Sequence, residues 1–185
     1  IQSEILKYEI GVDLLYDLPY REILDIFARL NTYTVRLNKQ ELLNAKYVGY
    51  YKQLSYELGY RYVDYWIESG VISKAKATRM AEAELASDLL MTLLDGVQTN
   101  KNIEGLYQEY EEDFADVDTY EKRFDRVMTV IGDIYDSSEL SLTNWSRIHL
   151  FYTLFTVVGH GLYGIDGLNP VIRPSFKASN RPTIR

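Results

Sequence analysis

The spacing of apolar residues near the start of the chain is that of a β-strand. Tyr8, Ile10, Val12 and Leu14 alternate with polar residues and a glycine, which is the two-residue period of a half-buried strand. No other segment of the sequence repeats this alternation, and a single strand leaves its backbone groups unpaired. We therefore expect a partner sheet upstream of residue 1. A sheet formed between two chains and a frayed, helix-like terminus remain the alternatives.

From Pro19 onward the spacing becomes helical, with apolar residues recurring every three or four positions. Asn38 and Glu41 have the spacing of a capping box, which predicts a helix start, while Gly59 and Asp95–Gly96 are predicted to end helices. The predicted fold class is mainly α, a bundle of about seven helices with a short N-terminal β segment and an irregular C-terminal tail. The predicted helices cover residues 19–30, 38–58, 60–69, 75–94, 101–112, 119–135 and 143–162.

The same patterns divide the chain into three predicted parts. Residues 1–17 are a β segment left from an upstream domain, residues 18–165 are the helical domain, and residues 166–185 are an extended or disordered basic tail. The first residue is not methionine, which adds to the expectation that the chain begins partway through a gene product, with trimming of the N-terminus as the alternative. The most apolar stretch, Ile148–Val158, is far shorter than the roughly twenty residues of a membrane span. It is predicted to be the central helix of the bundle.

Charge and cysteine usage narrow the classes of function. The net charge is −7, of which residues 1–165 carry −10 and the last twenty residues carry +3. A body this acidic repels phosphate backbones over most of its surface, so direct DNA binding through the tail is the least favoured class. The chain has no cysteine, and its first residues do not form a signal peptide. We therefore expect a cytoplasmic protein that is not bound to a membrane.

The sequence contains no recognisable catalytic or metal-binding motif. His149 and His160 lie eleven positions apart, which on a helix is about 16 Å and too far for one metal ion. Core or interfacial positions are the favoured interpretation for both. The acidic group Asp113, Asp116 and Asp118 lacks the spacing of a calcium loop and is predicted to be a solvated connection. We predict no catalytic residue, metal or cofactor site within this chain.

One stretch has the pattern of a known family. Ile26–Asn31, Leu37 and Gln40–Ala45 resemble the F-x-R-[IL]-N…L-x-x-x-E-L-x-N-A segment of the GmrSD-type restriction endonuclease N-terminal domain family. A later run, from Arg79 to Gly96 and on to Tyr107, is similar to the helical extension that follows in that family. Together the resemblance covers roughly residues 6–165. This chain would correspond to the C-terminal helical half of such a protein.

The resemblance implies a function for the parent protein. Family members resemble ParB/sulfiredoxin-like proteins in their N-terminal half, where a D-G-Q-Q-R motif is implicated in nucleotide hydrolysis or DNA cleavage, and many belong to anti-phage restriction systems. Some also carry an HNH nuclease domain. This chain contains neither motif, and it departs from the pattern at Leu43, where arginine is frequent, and at Thr32–Arg36, which lacks the usual glycine. The implied nucleotide, divalent metal and DNA contacts therefore belong to the parent protein, with the upstream catalytic domain as this chain's partner.

The resemblance also nominates four polar residues. Arg29, Asn31, Glu41 and Asn44 would complete a site in the upstream domain or line the boundary with it. The favoured alternative is structural, since Asn31 suits a helix stop and Asn38 with Glu41 suits a helix cap. The leading hypothesis is thus a helical accessory module of a restriction-like, DNA-processing defence protein.

A second hypothesis comes from the 17 tyrosines. Tyrosine combines a large apolar surface with a polar tip, which suits helix faces that bind another protein. A helical protein–protein interaction or dimerisation module without nucleic-acid activity is therefore the alternative, and a homo-oligomer stays open under both hypotheses.

Overall fold

A computed structural model describes residues 37–98 and 101–168, together with scattered positions between residues 11 and 26. Contacts divide the chain into two units, Ile1–Leu37 and Asn38–Arg185, and the second is called the helical unit below. In the first unit, Glu22, Ile23 and Ile26 are helical, as predicted for a helix beginning near Pro19. The predicted strand lies largely outside the described residues, as does most of the basic tail, so both stay predictions.

The described part of the helical unit is mainly α-helical, which confirms the predicted fold class. Short and long helices alternate along it, and a 3-10 turn at Asn144–Ser146 precedes the last helix. The α-helices are α1 Lys39–Lys46, α2 Tyr50–Glu68, α3 Lys74–Ala77, α4 Ala81–Asp95, α5 Ile103–Glu109, α6 Val117–Ile134, α7 Ser137–Ser141 and α8 Ile148–Tyr163.

The predicted second helix is in fact two helices, because the chain turns between α1 and α2. Tyr47 is extended, and the backbone N–H groups of Val48 and Gly49 donate hydrogen bonds to the Glu111 carboxylate at 3.1 and 3.0 Å. A Cβ added at Gly49 would overlap the backbone of Glu111. The segment around Glu111 therefore packs so closely that the helix cannot continue, and its carboxylate takes the place of a side-chain cap for α2.

The predicted helix stop at Gly59 is wrong, since α2 runs without interruption from Tyr50 to Glu68. Gly59 is buried, and a Cβ there would lie 3.1 Å from backbone atoms of Glu82 and Ala83. The glycine thus lets α2 and α4 approach each other closely rather than ending the helix.

Two further predicted helices are interrupted. The helix predicted over residues 75–94 breaks before α4 at Met80, whose φ of 63° lies in the left-handed region that few non-glycine residues adopt. The helix predicted over residues 143–162 begins with the 3-10 turn and restarts after Arg147, which is extended. The stop at Asp95–Gly96 is confirmed, with Gly96 at a φ of 75°.

Helix α4 lies at the centre of the helical unit and contacts α1, α2, α3, α5, α6 and α8. The prediction that the last helix is central is therefore wrong. Helix α8 is the more apolar along its sequence, but the sides of α4 are buried against more neighbours. The buried apolar residues of α4 are Ala83, Leu85, Ala86, Leu89, Leu90 and Met91.

An aromatic cluster joins α2, α6 and α8 beside this central helix. The ring of Phe124 lies 5.8 Å from that of Tyr62 and 5.0 Å from that of Phe155, and Trp66 meets Phe151 edge-on at 6.4 Å. These separations are in the range favoured for aromatic pairs. The three- and four-residue spacing of Phe124, Val127 and Ile131 predicts that they share the inward face of α6, and all three are buried.

Many tyrosines are used inside the helical unit. The Tyr51 hydroxyl donates a hydrogen bond to the Ser87 carbonyl at 2.7 Å, and Gln40 donates to the Tyr107 hydroxyl at 2.8 Å. Burial raises the pKa of the Tyr51 phenol well above its usual value. Internal packing thus accounts for much of the tyrosine content. Among the described tyrosines, the exposed ones are Tyr16, Tyr50 and Tyr60.

Candidate functional site

Two of the four nominated polar residues, Arg29 and Asn31, lie outside the described residues. Glu41 lies in the first turn of α1, and Asn44 lies one turn further along. The described contact of Asn44 is made by its backbone carbonyl, which accepts a hydrogen bond from Lys52 Nζ at 2.9 Å. No described hydrogen bond joins Glu41 to Asn44, so these two do not form a polar cluster within the described part of the chain.

Glu41 instead joins two segments that are far apart in sequence. Its backbone N–H donates to Asn38 Oδ1 at 2.8 Å, and its own Oε2 accepts from the Asn38 N–H at 2.6 Å, which completes the predicted capping box. Both carboxylate oxygens also accept hydrogen bonds from the Arg79 guanidinium, at 2.6 and 2.7 Å. Asn38 Nδ2 donates to the Arg79 carbonyl at 2.7 Å. We call Asn38, Glu41 and Arg79 the junction.

The opposite charges of Glu41 and Arg79 stabilise each other in the junction. The Arg79 guanidinium, together with the Asn38 N–H, lowers the pKa of the Glu41 carboxyl from its usual value, and the Glu41 carboxylate raises the pKa of Arg79. A two-pronged contact between arginine and a carboxylate fixes orientation as well as distance. Glu41 therefore holds the start of α1 against the turn before α4.

Replacing Asn38 with alanine is expected to lower the free energy of unfolding by about 1 kcal/mol, because the α1 cap and the bond to Arg79 are both lost. Urea denaturation followed by circular dichroism measures the change. Asn44→Ala is the matched control and is expected to stay within about 0.5 kcal/mol of the unaltered protein. Equal losses in the two variants would contradict a structural role for the junction.

A second candidate site is a cleft along the polar edge of α4. Its larger cavity has a volume of about 300 Å³ and its smaller one of about 130 Å³. The two cavities share three lining residues, Glu84, Asp88 and Lys101, which lie at their common boundary. The larger cavity is also lined by Leu85, Ile148, His149 and Tyr152, and the smaller by Lys39, Gln40, Leu43 and Ile103.

Lys101 crosses the cleft at this boundary. Its Nζ lies 2.7 Å from Asp88 Oδ2 and 4.2 Å from the centroid of the Tyr152 ring. The Tyr152 hydroxyl accepts a hydrogen bond from Thr92 Oγ1 at 2.6 Å, which orients the ring. The cleft thus contains a ready-made position for a positive charge, formed by a carboxylate and an aromatic face.

Sequence motifs do not reveal this cleft, because its lining residues come from four separate segments of the chain. The sequence shows only two short spacings that relate to the cleft. Glu84 and Asp88 are four apart on α4, and His149 and Tyr152 are three apart on α8, so each pair lies on one helix face. Neither pair matches a known motif, and Lys101 joins them only through the fold.

The two histidines, His149 and His160, lie in different surroundings on α8. His149 is exposed on the wall of the larger cavity, so it is not a core residue, whereas His160 is half-buried near the end of α8. His160 Nδ1 accepts a hydrogen bond from the Ile165 N–H at 2.9 Å and so ties that helix end to the next segment. Over residues 37–98 and 101–168, no group of three or more histidine, aspartate or glutamate side chains is placed to hold a metal ion.

Glu82 is a half-buried acid at the start of α4. Its Oε2 finds no hydrogen-bond partner among the described residues, and burial raises the pKa of its carboxyl. Because the folded-state pKa lies above the unfolded one, the neutral form is favoured by folding. The stability that the neutral Glu82 carboxyl allows is fully present below the unfolded pKa, and it is lost as the pH rises through the folded pKa.

Glu82→Gln is therefore expected to raise Tm by about 2 °C at pH 7 and to have no effect near pH 4. Thermal melts followed by circular dichroism at the two pH values test this. The exposed Glu57 provides a control, since Glu57→Gln is expected to move Tm by less than about 1 °C at either pH. A gain that is the same at both pH values would exclude burial of the charge as its cause.

Comparison with models of protein families, with curated proteins and with solved structures finds no match to this chain. Within the described residues, no helix is both long and apolar enough to cross a membrane.

Proposed function

We propose that this chain is a helical accessory module of a restriction-like, DNA-processing protein whose nucleotide-hydrolysing or nuclease motif lies outside it. The supporting observation is the junction. The resemblance rested on two separate segments, one ending at Ala45 and one starting at Arg79, and the hydrogen bonds of Glu41 and Asn38 bring these segments together. Glu41 and Arg79, one from each segment, therefore help to build the start of the helical unit.

The geometry favours support over chemistry for Glu41. Its carboxylate oxygens are already engaged by Arg79 and by the Asn38 N–H, so a substrate would have to displace these bonds. Asn38 is held in an extended conformation by the capping box, which sets the direction in which the chain enters α1. A fixed entry direction is what a module needs if it is to orient a domain that precedes it.

The test uses the whole protein encoded by the gene. Arg79→Met removes the link to Glu41 and leaves the capping box intact, and we expect the nucleotide hydrolysis or DNA cleavage of the whole protein to fall at least tenfold while its helical content is retained. Arg61→Met is the matched control, because Arg61 pairs with Asp125 and Glu121 away from the junction and has a similar exposure, 38% against 39% for Arg79. It is expected to keep full activity.

Three outcomes would overturn the proposal. One is a gene that encodes no D-G-Q-Q-R-type segment. Another is nucleotide hydrolysis by residues 1–185 alone at the rate of the whole protein. The third is full activity of the Arg79→Met variant, which would show that the junction does not support the catalytic part.

The second candidate is a protein–protein interaction or dimerisation module. It is favoured by exposed apolar side chains around the α1–α2 corner, namely Leu42, Val48 and Tyr50. In this case Val48→Glu is expected to weaken self-association or partner binding without lowering stability, which sedimentation velocity and thermal melts would report. Unchanged association would remove this candidate.

A further inference from the structure

We propose that the larger cavity of the cleft binds a primary alkylammonium ion, whose nitrogen takes the position that Lys101 Nζ now occupies between Asp88 and Tyr152. This inference does not depend on the proposed function of the whole protein. It rests on the geometry at Lys101, on the space beside it and on the charges of the cleft.

The position of the Lys101 ammonium is built for a cation that carries hydrogens. Asp88 Oδ2 accepts a hydrogen bond from it at 2.7 Å, a length typical of charge-assisted bonds. The Tyr152 ring centroid is 4.2 Å away, within the range of a cation–π contact. The hydrogen bond excludes a quaternary nitrogen, which has no hydrogen to donate, and the group that fits this position in the structure is the primary ammonium of Lys101.

The space beside this position suits an alkyl chain. The cavity of about 300 Å³ is at the lower end of the size of known ligand pockets. Leu85, Ile148 and the face of Tyr152 supply apolar wall, against which a short hydrocarbon chain would be shielded from water. A small amine fits this combination of one charged position and an apolar recess.

The charges that line the larger cavity favour a cation. Glu84 and Asp88 contribute two negative charges, Lys101 contributes one positive charge, and His149 is the remaining ionisable group beside Tyr152. With His149 neutral the net charge is −1. Among the described residues Glu84 has no ion-pair partner, so its carboxylate is available to a second positive group once Lys101 has moved. In the smaller cavity Lys39 adds a second positive charge, so the charges of Glu84, Asp88, Lys39 and Lys101 sum to zero there.

The Lys101 side chain can leave its position between Asp88 and Tyr152. Its side chain is 35% exposed, and it precedes Asn102, the cap of α5, so it is not part of a helix. A surface ammonium that exchanges one carboxylate partner for water changes its free energy little. The ligand therefore competes with a weakly held side chain rather than with a buried one.

The chain offers a matched comparison. Lys46 Nζ lies 2.6 Å from Glu104 and 5.0 Å from the ring centroid of Tyr47, which repeats the ammonium, carboxylate and tyrosine arrangement. Lys46, Glu104 and Tyr47 line neither of the two cavities of the cleft. The cavity, and not the charge arrangement alone, is what distinguishes the Lys101 position.

Binding of n-butylammonium is measured by isothermal titration and by NMR of the Tyr152 ring. We expect saturable binding to the unaltered protein and about threefold tighter binding to Lys101→Ala, because the competing ammonium, which is held only by a surface contact, is gone. Lys46→Ala is expected to bind as the unaltered protein does. In the Lys101→Ala background, Asp88→Asn is expected to reduce the affinity at least tenfold. Butyrate and 1-butanol, which match the chain length, and tetramethylammonium are expected to bind at least tenfold more weakly than n-butylammonium.

Several results would overturn the proposal. The first is that n-butylammonium does not bind saturably to the unaltered protein or to Lys101→Ala. The second is that butyrate or 1-butanol binds as tightly as n-butylammonium. The third is that Asp88→Asn leaves the affinity for n-butylammonium unchanged. Circular dichroism checks that each variant is folded. If Lys101→Ala does not fold, the unaltered protein decides, because n-butylammonium must then shift the Tyr152 ring and the Lys101 Nζ resonance together.

Discussion

Replacing Phe155 with alanine is expected to lower the free energy of unfolding by about 4 kcal/mol. Phe155 is fully buried in α8, and its ring packs 5.0 Å from that of Phe124 on α6. The substitution removes a large apolar side chain and leaves a cavity between two helices that cannot close fully. Urea denaturation followed by circular dichroism and by tryptophan fluorescence gives the value.

The control lies two residues further along the same helix. Val157 is exposed, so Val157→Ala is expected to change the free energy of unfolding by no more than about 0.5 kcal/mol. A loss below about 1.5 kcal/mol for Phe155→Ala would contradict its tight packing in the aromatic cluster.

Replacing Gly49 with alanine is expected to cost about 2–3 kcal/mol. The backbone of Gly49 is in an ordinary extended conformation, with a φ of −71°, so the effect comes from space and not from backbone strain. The added methyl group would overlap the backbone of Glu111 and push away the carboxylate that caps α2. The hydrogen bond from the Tyr50 N–H to the Tyr110 carbonyl would be disturbed as well.

Gly132 supplies the matched control. It lies inside α6, where an added Cβ meets nothing within 4 Å. Alanine there should raise the free energy of unfolding, by up to about 1 kcal/mol, because alanine loses less backbone entropy in a helix than glycine does. Opposite signs for the two variants are the expected result, and a loss at both positions would contradict the close approach at Gly49.

The local signals of the sequence predicted the fold class and several helix ends. Asn38 with Glu41 marked the start of α1 correctly, and Asp95–Gly96 marked the end of α4, because each of these signals acts within one turn of the chain. The spacing of Phe124, Val127 and Ile131 also gave the buried face of α6, since burial there follows the helical period.

The errors fall where distant segments decide the local structure. The α1–α2 break depends on Glu111, and the glycine at position 59, inside a continuous α2, lets the backbone at Ala83 come close. Glycine has two opposite uses, ending a helix or admitting a close neighbour, and the sequence near it does not say which applies. The fold supplies that information from residues further along the chain.

For the candidate sites as well, local signals were visible in the sequence and contacts between distant segments were not. Glu41 was nominated, but its partner Arg79 was noted only as part of a second segment, and their pairing needed the fold. The cleft was missed because the fold brings together Asp88 from α4, Tyr152 from α8 and Lys101 from the segment before α5. Side-chain chemistry at a site of this kind has no fixed spacing in the sequence, so a search for motifs passes over it.

The cap on α2 has a consequence for how the chain is made. Glu111 lies 62 residues beyond Gly49, so its carboxylate leaves the ribosome only after α2 and α4 have been synthesised. Until then the N–H groups of Val48 and Gly49 must be satisfied by water. The corner between α1 and α2 is therefore completed late in translation, and a nascent chain stalled before residue 111 would present this corner open to chaperones and proteases.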